Sequence, residues 1–159
     1  VVAVNIAFIG HEERKFTPRT QEAAIQEMQR ILRVTEQPTI VSGRCHLGGI
    51  DIWAEELADR LSIPKVIYPA VVHQWDGGGQ DGYKQRNIKI AFKADVVVVL
   101  VVATLPPGYP PDKWNRGPCY HCAKRASDVG RPRHVKSGAC WTAWYAVEEL
   151  HKEAHWIVL

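Results

Sequence analysis

The feature that most constrains this chain is the run VVVVLVV, from Val96 to Val102, opened by Asp95 and stopped by the proline-rich LPPGYPP that begins at Leu105. A nearly continuous β-branched stretch has no polar face, so as a strand it must be covered on both sides. Such strands belong in the middle of a parallel sheet with helices on either face. With Ala103 included, the run is still far short of the roughly 20 apolar residues that cross a bilayer.

The rest of the chain supplies matching parts. Val2 to Ile9 is rich in β-formers and predicts a first strand ending at Gly10. Pro18 suits a first helical turn with Thr17 as N-cap, and the helix is expected to run to about Arg33, with Ala24, Met28, Ile31 and Leu32 inward. Thr39 to Val41 reads as a second strand. The helix after it places Ile50, Ala54, Leu57, Ala58 and Leu61 on one face. Lys65 to Ala70 predicts a third strand, and Tyr83 to Ala94 a helix with Ile88, Ala91 and Phe92 inward. A last helix capped by Ser137 shows the stripe Ala139, Ala143, Ala146, Val147 and Leu150, and Trp156 to Leu159 closes the chain as a short strand. The alternation predicts a Rossmann-like three-layer αβα fold: one domain over residues 1–159, with a five-stranded, mostly parallel sheet and one irregular basic insertion at about 104–136.

Ligands in such sheets bind beyond the carboxyl ends of the strands, near the switch in strand order. Four segments are expected to meet there: Gly10 to Arg14, Ser42 to Gly49, Trp75 to Arg86 and Ser137 to Thr142. The strand into Ser42-Gly43, the pair Gly48-Gly49 and the helix that follows have the form of an anion site. Helix N-terminal amides are unpaired, the dipole is positive there, and glycine admits a phosphate close to the backbone. Gly138 opens a second such helix. Arg86 offers a bidentate fork for phosphate or carboxylate, and Asn87 offers both donor and acceptor for a ribose or a base edge. The competing account is an ordinary βα turn closed by glycines, with Arg86 on the surface. The loop VVHQWDGGGQDG (Val71 to Gly82) has the composition of a mobile segment near a ligand.

Three motifs in this order resemble the SLOG superfamily of Rossmann-like proteins, which includes the Lonely Guy (LOG) phosphoribohydrolases, the DNA-processing protein DprA and YspA-like proteins. The first is Ser42-Gly43-x4-Gly48-Gly49-Ile50-Asp51-x2-Ala54. The second is Tyr83-x-x-Arg86-Asn87-x-x-x-Ala91-x-x-Ala94-Asp95, and the third runs from Lys136 through Ser137, Gly138 and Ala139 to Thr142, in the place of the LOG "PGGxGT" turn. The resemblance implies a nucleotide-like ligand held by Gly10, Ser42, Gly43, Gly48, Gly49, Tyr83, Arg86, Asn87, Ser137, Gly138 and Thr142. It also implies a homodimer, since LOG-like relatives are commonly dimers. Arg86 stands where LOG enzymes carry their catalytic arginine. Their catalytic glutamate, in "PGGxGTxxE", corresponds to Tyr145, and Ala139 and Trp141 replace glycines. Cleaving an N-glycosidic bond needs a carboxylate to stabilise positive charge on the ribose or to activate water. Tyrosine, with a pKa near 10, does this poorly. Glu12, Glu13, Asp51, Glu55 and Asp81 are the substitutes, and Asp51, in the turn itself, is the first choice; capping of its own helix is the plainer role. The expectation is therefore nucleotide binding, with LOG-like hydrolysis of nucleoside monophosphates as the alternative.

The net charge of +3 is unevenly spread: Lys113 to Lys136 carries seven basic residues against Asp128, which leaves the remainder near −3. Basic residues interleaved with Tyr109, Trp114 and Tyr120 fit a single-stranded nucleic acid, although a solvated loop over the nucleotide crevice fits better. In the same segment Cys119 and Cys122 have the spacing of two zinc ligands, which His134 or Cys140 could complete, so a structural zinc is one expectation and free thiols the other. The four cysteines do not form the pattern of a secreted disulfide scaffold. The N-terminal stretch has neither a basic n-region nor a cleavage-like site, so a cytoplasmic location with no membrane partner is expected.

Overall fold

The computed structural model of the chain describes residues 2–103 and 138–159. The expectations for the insertion, including Cys119, Cys122, His134, Ser137 and the basic stripe, lie outside the described residues.

In chain order the described elements are β1 (Val4–Gly10), a 3-10 turn (Glu13–Lys15), α1 (Pro18–Val34), β2 (Pro38–Ser42), α2 (Ile50–Arg60), β3 (Lys65–Ile67), α3 (Tyr83–Lys93), β4 (Val96–Val101), α4 (Gly138–Glu148) and β5 (Glu153–Val158). The strands form one parallel sheet in the order β3-β2-β1-β4-β5. This is an α/β fold of Rossmann-like type, as the alternation of elements requires. Strand order reverses between β1 and β4, where Ile6 pairs with Val96 and Gly10 with Leu100.

Period-two alternation divides the core into two layers. Ile6, Phe8, Ile40, Val98 and Leu100 face α1 and α2, where they meet Met28, Leu32, Ile50, Trp53 and Leu57. Ala7, Ile9, Val41, Val97, Val99 and Val101 face α3 and α4, where they meet Ile90, Ala91, Ala94, Cys140, Ala143 and Ala146. Both faces of β4 are thus apolar, which is why its valines run without interruption. Small residues on α3 and α4 let these two helices lie close to the sheet and to each other.

Local chemistry accounts for the element ends. Thr17 Oγ1 accepts from the Thr20 amide at 3.1 Å and Thr20 Oγ1 from the Thr17 amide at 2.8 Å, a reciprocal cap with Pro18 in the first turn. The Asn5 amide donates to Asp95 Oδ2 at 2.7 Å, which locks the entry to β4 against β1.

Some expectations need correction. Phe92 is 59% exposed rather than inward. The phase of α3 is set by Ile90 and Ala91 on the sheet, with Asn87 and Ala94 three or four positions away, and Phe92 falls past that stripe. Leu61 is the exposed C-cap of α2, beyond its inner face. β3 stops at Ile67, and β5 starts earlier than expected, at Glu153, because the edge position needs no apolar alternation. No helix among the described residues is long and apolar enough to cross a membrane.

Candidate functional site

All five strands point the same way, so the segments following β1, β2 and β3 and the start of α4 gather at one edge of the sheet. A cavity of about 310 Å³ opens there, over the β1–β4 switch. Gly10 reaches it from the end of β1 and Glu12 from the segment that follows, Cys45 and Asp51 from the β2–α2 junction, Arg86 and Asn87 from α3, and Gly138 and Thr142 from α4. A second cavity of about 540 Å³ adjoins it and shares Cys45, His46, Tyr83 and Arg86 as walls.

Arg86 stands between the two. Its Nε donates to Asn87 Oδ1 at 2.8 Å and its Nη1 to the Gly43 carbonyl at 2.5 Å, while the residue is only 8% exposed. Nη2 makes no hydrogen bond among the described residues. The guanidinium carbon lies 5.5 Å from the centre of the Tyr83 ring, within cation–π range. Gly43 is required by this arrangement: a Cβ there would stand 2.4 Å from Arg86 Nη1. Asn87 Nδ2 in turn reaches the Gly138 carbonyl at 3.5 Å, and Thr142 Oγ1 donates to that same carbonyl at 2.7 Å.

The β2–α2 junction is built differently from a bare phosphate cradle. Asp51 Oδ2 accepts from the Cys45 amide at 3.1 Å, so the carboxylate occupies part of the turn's donor set. Burial pushes the Asp51 acid up to about 6; Arg86 opposes that rise, as do the amides of Cys45 and Gly43, while Glu55 adds to it. Ser42 is fully buried and donates to Glu55 Oε2 at 2.7 Å, away from the cavity. Glu55 Oε1 accepts from Arg44 Nε at 3.0 Å and Nη2 at 2.9 Å, which ties the loop's outer side to α2. Gly49 is the N-cap of α2 at φ 90°, and a Cβ there would meet the His11 carbonyl at 2.3 Å. Gly48 faces Glu13 and lines the larger cavity.

The structure also brings forward residues that sequence reasoning passed over or ranked low. Glu12 Oε1 pairs with Arg14 at 3.2 Å and Lys15 at 3.5 Å, but its Oε2 is buried with no hydrogen-bond partner among the described residues. Of the other substitute carboxylates, Glu55 is held by Ser42 and Arg44, and Asp81 pairs with Lys89. His46 and His73 stack at 3.8 Å within 5° of parallel, and Tyr83 lies parallel to both. Nothing in spacing or periodicity signals that stack, because its rings come from three separate segments.

Tyr145 packs on Trp141, ring centres 5.3 Å apart, at the border of the α3–α4 core layer and outside both cavity walls. Cys140 is buried in that layer. Among the described residues no group of three or more His, Cys, Asp or Glu is arranged to hold a metal ion. Comparison with protein-family models, with curated proteins and with solved structures finds no match for this chain.

Proposed function

We propose that this protein binds a nucleotide or a nucleotide-derived ligand at the carboxyl edge of its sheet, as the likeness of its motifs to the SLOG superfamily implies. The observation that carries the reading is Arg86. A buried guanidinium, oriented by Asn87 and the Gly43 carbonyl, lines two cavities that share walls, beside the first turn of α4. With the Cys45 amide already serving Asp51, the phosphate is assigned to Arg86 Nη2 and the α4 N-terminus more than to the Ser42–Gly49 turn.

Calorimetric titration with nucleoside monophosphates tests this. Arg86→Ala is expected to weaken binding about 10- to 100-fold, the worth of a charge-assisted hydrogen bond. Arg86→Lys keeps the charge but loses the fork, and is expected to recover only part of the loss. Unaltered affinity in a folded Arg86→Ala protein would sink the reading.

Hydrolysis of the N-glycosidic bond is the second reading, and Glu12 favours it. A carboxylate oxygen with no hydrogen-bond partner among the described residues, in a residue that lines the cavity, is the group such chemistry needs where Tyr145 stands in place of a glutamate. Release of free base from nucleoside monophosphates, abolished in Glu12→Gln, would establish it. Tight binding without turnover would leave simple binding in place.

A further inference from the structure

The larger cavity, with its ring stack, has a chemistry of its own. His46 leaves the β2–α2 loop, His73 leaves the loop between β3 and α3, and Tyr83 stands on the first turn of α3. The imidazoles lie 3.8 Å apart, and the Tyr83 ring is 6.4 Å from His46 and 6.1 Å from His73, all within 5° of one plane orientation. Both histidines are exposed at the cavity rim.

The supports under these rings hold them in register. Asp51 and Glu55 tie the loop that carries His46. The loop that carries His73 is laced by Val71 N to Asp81 O at 2.7 Å and Tyr83 N to Gln74 O at 2.7 Å. The two imidazoles cover each other's inner sides, and their exposed sides, held parallel before binding, suit a planar heteroaromatic ring, since such stacking is tolerant of which base is offered. The position is right as well. Tyr83 touches the Arg86 guanidinium at one end of the platform, and a cavity of about 540 Å³ is of the size that takes a small-molecule ligand.

The geometry assigns the nucleobase to the His46–His73–Tyr83 platform, with Arg86 holding the phosphate at the junction of the two cavities; the assignment rests on the nucleotide reading above. The rival surface is Trp75 on the smaller cavity. Its ring is engaged edge to face with Trp141 at 5.0 Å, inside an aromatic cluster that includes Trp144 and Tyr145. Trp75 is 42% exposed, so it is the surface that the experiment has to separate from the platform.

The experiment compares the four ribonucleoside 5′-monophosphates with ribose 5-phosphate, by calorimetry and by the proton resonances of the imidazoles. In the native protein at least one nucleotide is expected to bind about 10-fold or more tightly than ribose 5-phosphate, the worth of one stacked base. That nucleotide should shift the His46 and His73 ring protons upfield, and ribose 5-phosphate should not. In His46→Ala/His73→Ala the preference should collapse while ribose 5-phosphate affinity holds, and His73→Phe on the native background should keep it. Both histidines are exposed, so folding is expected to survive the changes. The assignment is overturned if the double variant keeps the preference, or if Trp75→Ala removes it instead. Failure of all five compounds to bind the native protein would overturn the nucleotide reading, and the platform with it. Equal binding of nucleotides and ribose 5-phosphate would leave the phosphate site standing and remove the base platform alone.

Discussion

Asp51 shows how one side chain can answer two demands. Its carboxylate organises the turn by accepting the Cys45 amide, yet it does so while almost wholly buried, and burial pushes its acid up to about 6. An unfolded aspartate releases its proton near pH 3.9. Between about pH 4 and pH 6 the folded chain therefore holds a proton that the unfolded chain has lost, so stability falls as pH rises through this window. Below it both states are protonated and the cost is absent; above it the cost is complete, on the order of 3 kcal/mol. Asp51→Asn removes the titration. The unfolding free energy of the variant minus that of the native protein should climb from pH 4 to pH 7, as read from urea melts at each pH. A difference that stays flat would show that this carboxyl does not carry the burden assigned to it.

Among the elements, α3 is the one whose ends decide the site. Its first five residues include Tyr83, Arg86 and Asn87, and its last carbonyls are gathered by a single lysine. Lys152 Nζ donates to the carbonyls of Ala91 at 2.8 Å, Phe92 at 2.5 Å and Ala94 at 2.6 Å. A cation at a helix C-terminus satisfies orphan carbonyls and complements the dipole. Lys152→Met keeps the aliphatic stem and removes the donors, so a loss of about 1–2 kcal/mol is expected, checked by chemical denaturation. A variant as stable as the native chain would mean that these carbonyls are equally well served by water. The loss should fall on stability, with ligand affinity little changed, because Lys152 is at the far end of α3 from Arg86.

At the scale of the whole molecule, what was legible from sequence and what was not divide along a physical line. Strands and helices follow local periodicity, so the apolar run of β4 and the Thr17-Pro18 start of α1 could be placed from their own residues. The phase of α3 could not, since it depends on which face the sheet selects, and Phe92 was misplaced for that reason. Arg86, Asn87 and Gly138 were legible as candidates because their residue types and motif positions carry the chemistry. The engagement of Asp51 with its own turn, the orphan oxygen of Glu12 and the His46–His73 stack were not, because each depends on where the folded chain places groups relative to one another in space. That same dispersal has a thermodynamic consequence. The proposed site draws on α2 from one face of the sheet and on α3 and α4 from the other, so a ligand there contacts both layers and binds only when both are assembled. A nucleotide at about 100 times its dissociation constant should add about 2.7 kcal/mol to the stability of the fold. For a chain of this length that raises the melting temperature by roughly 5–10 °C. In Arg86→Ala at the same nucleotide concentration, a 10- to 100-fold weaker site should leave only about 0.4–1.4 kcal/mol of that gain, a rise of roughly 1–5 °C. If calorimetry detects tight binding while the melting temperature stays where it was, the ligand must sit on a surface that survives unfolding of one layer, and a site bridging the two would be the wrong picture.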